Sequence, residues 1–403
     1  MKFLLLNQTF YPDVVATGQY LTELALRLVE RGHEVTVVTS RRAYDAPERH
    51  FPRSENWRGI RIIRIWSTAF GKEVKWRRFS DFCSFLAICL FRLTCMQRYD
   101  ALVALSSPPL IAFVAACMAK LRDTRFFYWV MDLNPDEALA AGWLREGSWA
   151  AHFLEWASRF SFRHAHRVIA LDRFVHDRIL AKGFPAEKIV VLPLWSHDGH
   201  VNFDPEGRER FRKTHGLDDK FVVMYSGNHS PCHPLDTLLE AAGHFRDDPK
   251  IAFCFIGGGT EWRRIKAGVG NSGGCRPNLL FLPYRPLSEL SASLSAADLH
   301  VIVMGAPYVG ILHPCKVYNL LKIGAPMMYI GPRPSHITDV LETLNRNQIA
   351  FAAAHREVDR VVSQIKTLSG NSAAPQTRVP HDISANFAKE TLLPKLIQVL
   401  ESS

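Results

Sequence analysis

Several common signatures are missing from this 403-residue sequence, and each absence closes a route. The eight cysteines form no CxxC pair, which argues against a redox-active dithiol and against the usual zinc-ligand spacings. No GxxxxGK[ST] occurs, so the chain is not a P-loop NTPase. The start, MKFLLLNQTFYPD, has too short an apolar run for a secretory signal and no small-residue cleavage site, so a cytoplasmic location is expected. The apolar helix between Asp81 and Arg92 holds ten uncharged residues, too few to span a bilayer. Heptad runs, low-complexity tracts and recognisable nucleic-acid modules are also lacking, and nucleic acid is not an expected partner.

What remains is the composition of an ordinary globular protein, 47% hydrophobic and 22% charged, long enough for two domains that each bury a full core. Cys83, Cys89, Cys95, Cys117 and Cys254 stand in apolar runs and are expected to be reduced core thiols. Cys232, Cys275 and Cys315 stand in loops with His229, His233 and His313, but at no zinc-site spacing, and no metal is expected.

The chain begins the same kind of α/β unit twice. KFLLL leads through NQTFYPDVVATGQY to the amphipathic helix LTELALRLVERG and the strand HEVTVVT; past the midpoint, FVVMYS leads through GNHSPCHP to LDTLLEAAGHF and IAFCFIGGG. Further strands are expected at 60–66, 101–105, 125–131, 167–171 and 189–193, then at 279–282, 298–304 and 326–330, with helices between. That alternation predicts an α/β chain of two doubly wound parallel sheets, divided near 196–206. Ligands of such sheets bind at the carboxyl ends of the strands, where helix N-termini offer amides to anions.

Charge is uneven along the sequence. The formal net charge is +10, and between Arg49 and Arg98 eleven Lys or Arg face only three acids. Lys72, Lys75, Trp76, Arg77 and Arg78 stand beside an apolar, aromatic helix, the pattern of a patch that lies on an anionic membrane. A core helix with a basic solvent face would read the same way.

The chemistry-bearing residues fall at predicted strand ends. Gly227, Asn228, His229 and Ser230 open a loop before a helix and would form a phosphate cradle or an ordinary turn; His233 follows them. Gly258 lies in a Gly-Gly-Gly run, and Tyr284 and Arg285 offer a ring for a base and a cation for an anion. Gly310 and Ile311 offer loop amides. Lys316 falls in a helix first turn, where a cation opposes the dipole unless an anion is near. In the first half, Gly18 and Gln19 lie in the loop that precedes the first helix. Asp132 precedes Asn134 and Asp136, which are expected to cap the helix from Pro135.

Taken together, QTFYPDVVATGQYLTELALRLVERGHEVTVVTS, DLNPDEAL, YSGNHSPCHPLDTLLEAA, FCFIGGG, LPYRPLSELSASLSAADLHVIV and HPCKVYNLLKIGAP resemble bacterial glycosyltransferases of family 4 over nearly the whole chain. The branch most similar builds surface and capsular polysaccharides on lipid carriers. The resemblance implies a GT-B fold, two Rossmann-like domains facing across a cleft: 1–196 for the acceptor, 207–380 for the nucleotide sugar, and 381–403 as a helix crossing back to the first domain. It implies a retaining, metal-independent transfer from a nucleotide-diphosphate sugar, a UDP-sugar foremost, to a hydroxyl of a lipid-linked saccharide, with no cofactor and with peripheral attachment to the inner membrane. Residues 227–230, Gly310 and Ile311 would then contact the diphosphate, residues 283–285, Tyr284 and Arg285 among them, the base, and Asn319 the ribose, with His233 and Gly258 also on the donor side. Lys316 would neutralise the leaving group, Gly18 would lie close to the donor phosphate or the acceptor, and Gln19 and Asp132 would meet the acceptor, Asp132 orienting its hydroxyl.

Three departures from the family pattern stand out. Asn228 and His233 replace a frequent Arg and Lys, and Asn319 replaces the acid that grips the ribose, exchanging a charge-assisted bond for a weaker neutral one. Lys316, Arg285 and a protonated His233 are the expected substitutes for the missing charge. A nucleotide-sugar 2-epimerase of the same architecture and a non-catalytic nucleotide-sugar-binding subunit are the alternative readings.

Overall fold

Lys2–Leu6 is apolar at every position after the first, and Phe3 to Leu6 are buried, as the interior of a parallel sheet covered on both faces requires. The computed structural model describes residues 1–13, 15–44, 48–68, 75–196, 201–271, 277–344, 349–370, 379 and 381–402. The described chain divides into two compact units, one comprising Met1–Pro193, Gly310–His313 and Leu393–Ser403, the other Leu194–Val309 and Pro314–Leu392.

The first unit is built on β1 (Lys2–Leu6), β2 (Glu34–Ser40), β3 (Ser54–Trp57), β4 (Ile60–Ile65), β5 (Ala101–Ala104), β6 (Arg125–Trp129), β7 (Arg167–Ala170) and β8 (Ile189–Val191), in the order β3-β4-β2-β1-β5-β6-β7-β8. All neighbours are parallel except β3, which runs antiparallel to β4 at the edge. Sequence periodicity missed β3 because SENW is short and polar, as sheet edges tend to be. Helix Ala16–Glu30 buries Tyr20, Leu21, Leu24, Ala25 and Leu28, one face at helical spacing. From helix Lys389–Glu401, Glu401 bonds to Arg31 at 2.8 Å and to His33 at 2.7 Å, with Pro394 inside the helix.

The second unit holds β9 (Phe221–Asn228), β10 (Ile251–Gly258), β11 (Leu279–Leu282), β12 (Leu299–Val303), β13 (Met327–Ile330) and β14 (Ala350–Ala353), all parallel, in the order β11-β10-β9-β12-β13-β14. Each sheet reverses its winding beside the strand that opens its unit, between β1 and β5 in one and between β9 and β12 in the other. That switch point is where an open α/β sheet leaves room for a ligand.

Two expectations need correction. Cys83 and Cys95 are exposed and Cys117 half-buried, whereas Cys89, Cys254 and the loop residue Cys232 are buried. The apolar run around Cys83 is helix Lys75–Thr94, and a helix turns only one stripe inward; Phe85, Cys89 and Leu93 take it. Helix Asp136–Ala140 follows Pro135, but no side chain caps it, so Asn134 and Asp136 do not act as expected. Of the basic patch, Lys72 lies outside the described residues. Lys75, Trp76, Arg77 and Arg78 begin helix Lys75–Thr94 by backbone, their side chains outside the description.

Candidate active site

At the carboxyl ends of β9 and β10 the backbone is stripped of side chains. A Cβ on Gly257, at φ 139°, would collide with the carbonyl oxygen of Gly227; one on Gly259 would meet the carbonyl of His229 and Oδ1 of Asn228. The two strands stay in register to their ends, pairing Gly227 with Gly257 and Asn228 with Gly258. His229 N–H then donates to the Gly258 carbonyl at 2.7 Å, locking the loop.

Lys316 enters this glycine floor. A Cβ on Gly227 would lie 2.8 Å from its Nζ, which sits 4.0 Å from the centroid of the Tyr225 ring. The stem of Lys316 reaches the surface, but the ammonium is buried and has no hydrogen-bond partner among the described residues. Burial lowers its pKa from 10.5 to about 7. The lysine opens helix Lys316–Ile323, whose N-terminus has no side-chain cap and no acid in its first turn. A buried, unpaired cation at an uncapped helix N-terminus is a site prepared for an anion.

The histidines add no charge here. His229 is fully buried, its Nδ1 3.0 Å from the Gly227 carbonyl, and burial followed by Lys316 lowers its pKa to about 4. Its Nε2 is buried without a hydrogen-bond partner among the described residues, a second orphan beside the glycines. His233 bonds the Val303 carbonyl at 2.7 Å, and burial and then Lys316 push it down to about 3. The expected protonated His233 is therefore corrected: two neutral imidazoles surround one lysine.

Other expected donor residues divide. The Tyr284 ring is 59% exposed and its hydroxyl donates to the Gly258 carbonyl at 3.2 Å, which keeps it at the glycine run. Asn228 is exposed beside it, and the Ser230 carbonyl accepts from His233 N–H at 2.9 Å. Arg285 is held elsewhere: Nη2 lies 2.9 Å from His215 Nε2, the guanidinium stacks on Phe211, and Glu289 stands at 3.7 Å. Asn319 lies one helical turn beyond Lys316, its own contacts already engaged. Gly310 and Ile311 belong to the first unit, where Ile311 joins the core and its carbonyl accepts from Leu133 N–H at 3.0 Å. Among the described residues of the second unit, no three His, Cys or carboxylate groups gather at ligand distance.

In the first unit, three neighbouring strand ends meet through Ser106 and Ser107. Asp132 N–H donates to Ser106 Oγ at 3.0 Å and Gln8 N–H to the Ser107 carbonyl at 2.7 Å. Burial, and then Glu137, raise the Asp132 carboxyl to about 7. Asn7 Oδ1 and Gln8 Oε1, buried without partners among the described residues, are acceptors suited to hydroxyls. Sequence reading passed over both, although they directly follow β1 at its carboxyl end. Gly18 is buried where a Cβ would approach Thr9 Oγ1 at 3.2 Å and Phe10 N at 3.3 Å; Gln19 N–H donates to the Val15 carbonyl in the same helix start.

Residues 16–195 match the family described as glycosyl transferase 4-like domain. The chain is similar to glycosyltransferases of this kind over most of its length. It is 24% identical over 381 residues to WcaI of Escherichia coli K12, named for colanic acid biosynthesis, covering 91% of each protein. It is 22% identical over 249 residues to the glycosyltransferase WbjE of Pseudomonas aeruginosa, covering 61% of each. Among solved structures, HepE of Anabaena in complex with UDP shares 16% identity at a TM-score of 0.73 over the full length of both chains. The chain has the GT-B fold, its two units being the two Rossmann-like domains.

Proposed function

We propose that this glycosyltransferase moves a sugar from a nucleotide-diphosphate sugar, a UDP-sugar foremost, to a hydroxyl of a lipid-linked saccharide during assembly of a surface polysaccharide. The observation that carries the reading is the buried, unpaired ammonium of Lys316 over the glycine floor of Gly227 and Gly257. A departing nucleoside diphosphate collects negative charge on its oxygens, and a preorganised cation there lowers the barrier. Lys316 and the N-terminus of its helix supply that charge in this reading, so the transfer is metal-independent. Tyr284 offers a face for the base and Asn319 a neutral partner for the ribose. The similarity to family 4 glycosyltransferases supports retention of anomeric configuration.

The first unit supplies the acceptor side, with Asp132 orienting the attacking hydroxyl and Asn7 and Gln8 receiving neighbouring ones. UDP, the ligand in the HepE complex, supports the choice of donor, and the polysaccharide role named for WcaI supports the acceptor class. No described helix is long and apolar enough to cross a membrane, so the basic stretch from Lys72 to Arg78 serves in this proposal as peripheral contact with anionic lipid.

Calorimetric titration of the purified protein with UDP, GDP, ADP and dTDP, each with and without magnesium, tests the donor site. Micromolar binding of one diphosphate, unaffected by the metal, is the expected result. Absence of binding to all four would overturn the assignment of Lys316, and binding without transfer to any saccharide would leave a nucleotide-sugar-binding subunit.

A further inference from the structure

Helices Lys75–Thr94, Ile111–Arg122 and Trp149–Arg163 pack side by side in the first unit, Ile111–Arg122 in the middle. Their inward stripes join the core through Phe85, Cys89, Leu93, Val114, Met118 and Phe162. A surface helix then ordinarily turns polar residues outward. These three turn out apolar ones. Phe91 is 70% exposed, Leu121 68%, Trp149 81% and Trp156 52%, with Leu90 and Phe153 also exposed.

The rings form a continuous ladder rather than scattered exceptions. Trp149 stacks on Phe153 at 5.8 Å and 10°, Phe153 meets Trp156 at 6.0 Å, and Trp156 meets Phe160 at 5.7 Å. Phe113 of the middle helix touches both Trp156, at 5.4 Å, and Phe160, at 5.3 Å. A contiguous apolar surface of this kind marks a partner.

Charge selects which partner. The three helices carry eight Lys or Arg against Asp81 and Glu155. Arg92, Lys120 and Arg163 are exposed and have no acidic partner among the described residues. A second copy joined through a two-fold axis would set this face against itself and bring like charges together. An anionic bilayer instead receives the aromatic rings at its interface and pairs the cations with lipid phosphates.

We infer that this three-helix face is the surface on which the protein lies on an anionic phospholipid bilayer. Trp149, Phe153, Trp156, Leu90 and Phe91 enter the boundary between headgroups and acyl chains, and Arg92, Lys120 and Arg163 meet the phosphates. The docking deepens the lipid-linked acceptor reading above and rests on it for its purpose. It adds a defined apolar face to the basic stretch already described.

Sedimentation of the full chain with vesicles of phosphatidylglycerol and phosphatidylcholine, against phosphatidylcholine alone, tests the face. The wild type is expected to pellet with the anionic vesicles, and Trp149→Ser/Phe153→Ser/Trp156→Ser to lose at least about tenfold in partition, since each ring contributes by the apolar area it buries. UDP binding by the variant verifies that it is folded; a second variant, Trp149→Phe/Trp156→Phe, should partition normally yet show clearly less quenching of its tryptophan fluorescence by brominated lipid than the wild type, Trp76 supplying the remainder. Unchanged partition of the triple variant, or a wild type that remains in the supernatant, would overturn the inference. So would a concentration-dependent dimer, abolished by the triple variant, in a protein that ignores vesicles. Transfer to a lipid-linked acceptor in detergent without vesicle binding would remove the docking face alone; vesicle binding without such transfer would remove the acceptor reading alone.

Discussion

Lys316→Met is expected to make the protein more stable and unable to bind nucleoside diphosphates. Burial holds the Lys316 pKa near 7, far below its value of 10.5 in an unfolded chain. As pH falls from 10.5 to 7 the unfolded chain takes up a proton that the folded one refuses, so stability declines over that window and is level below it; the full difference is on the order of 4–5 kcal/mol. The partly exposed stem and the Tyr225 ring reduce it, and methionine has similar length without the charge. Recovery of about 2 kcal/mol at neutral pH would raise Tm by about 4–8 °C, and the gain should vanish as pH approaches 10.5. Differential scanning fluorimetry from pH 6 to 10, without nucleotide, measures it. A bound diphosphate restores the lysine's charge, so wild-type titrations in buffers of different ionisation enthalpy should show uptake of about 0.9 proton per site at pH 8 and about 0.1 at pH 6. A variant that melts lower than wild type at pH 7, or UDP binding without proton uptake at pH 8, would refute the assignment of a buried, unpaired, anion-seeking lysine.

The remaining expectations are narrower. Asp132→Asn should lower turnover by roughly 10²–10⁴-fold if the carboxylate acts on the acceptor hydroxyl, with diphosphate affinity unchanged by calorimetry. Because Asp132 ionises as pH rises through about 7 while Lys316 loses its proton over the same range, kcat/KM should be bell-shaped about neutrality, and Asp132→Asn should abolish the acid limb. Gly257→Ala should disrupt the β9–β10 strand ends and reduce both Tm and UDP binding. Gly258→Ala meets only the Tyr284 ring, at 3.1 Å, and should keep Tm while weakening discrimination among nucleotide bases. Replacing Lys72, Lys75, Arg77 and Arg78 together by Gln should shift the protein from anionic vesicles to supernatant; unchanged partition would leave the aromatic face as the sole membrane contact.

Much of this was legible because strand ends announce themselves. The echo of apolar strand, loop and amphipathic helix located both units, and a lysine in a helix first turn stood out since it opposes the dipole. What could not be read was ionisation. Nothing in CHPLD indicates that His233 is sealed beneath the Val303 carbonyl and neutral, or that Arg285 is engaged by His215 and Phe211. Those outcomes depend on residues scores of positions away. The outward face of Lys75–Thr94 was hidden for a different reason: an apolar run has the same composition whether its second stripe meets protein or lipid.

The departures at Asn228 and His233 become coherent once the charges are counted in place. A fixed cation beside Lys316 in so dry a site would disfavour the lysine's own proton further, since like charges at short range repel strongly at low dielectric. With Asn228 neutral by chemistry and His233 neutral by burial, attraction for a diphosphate is concentrated on one residue whose protonation the ligand itself restores. Introducing a second cation should therefore not simply add affinity. His233→Lys is expected to lower the midpoint of diphosphate binding on the pH axis, because the two ammonium groups compete for protonation in the unliganded site. Tighter binding at pH 8 in that variant, with unaltered proton uptake, would mean that the two positions act independently and that Lys316 is not the titrating group.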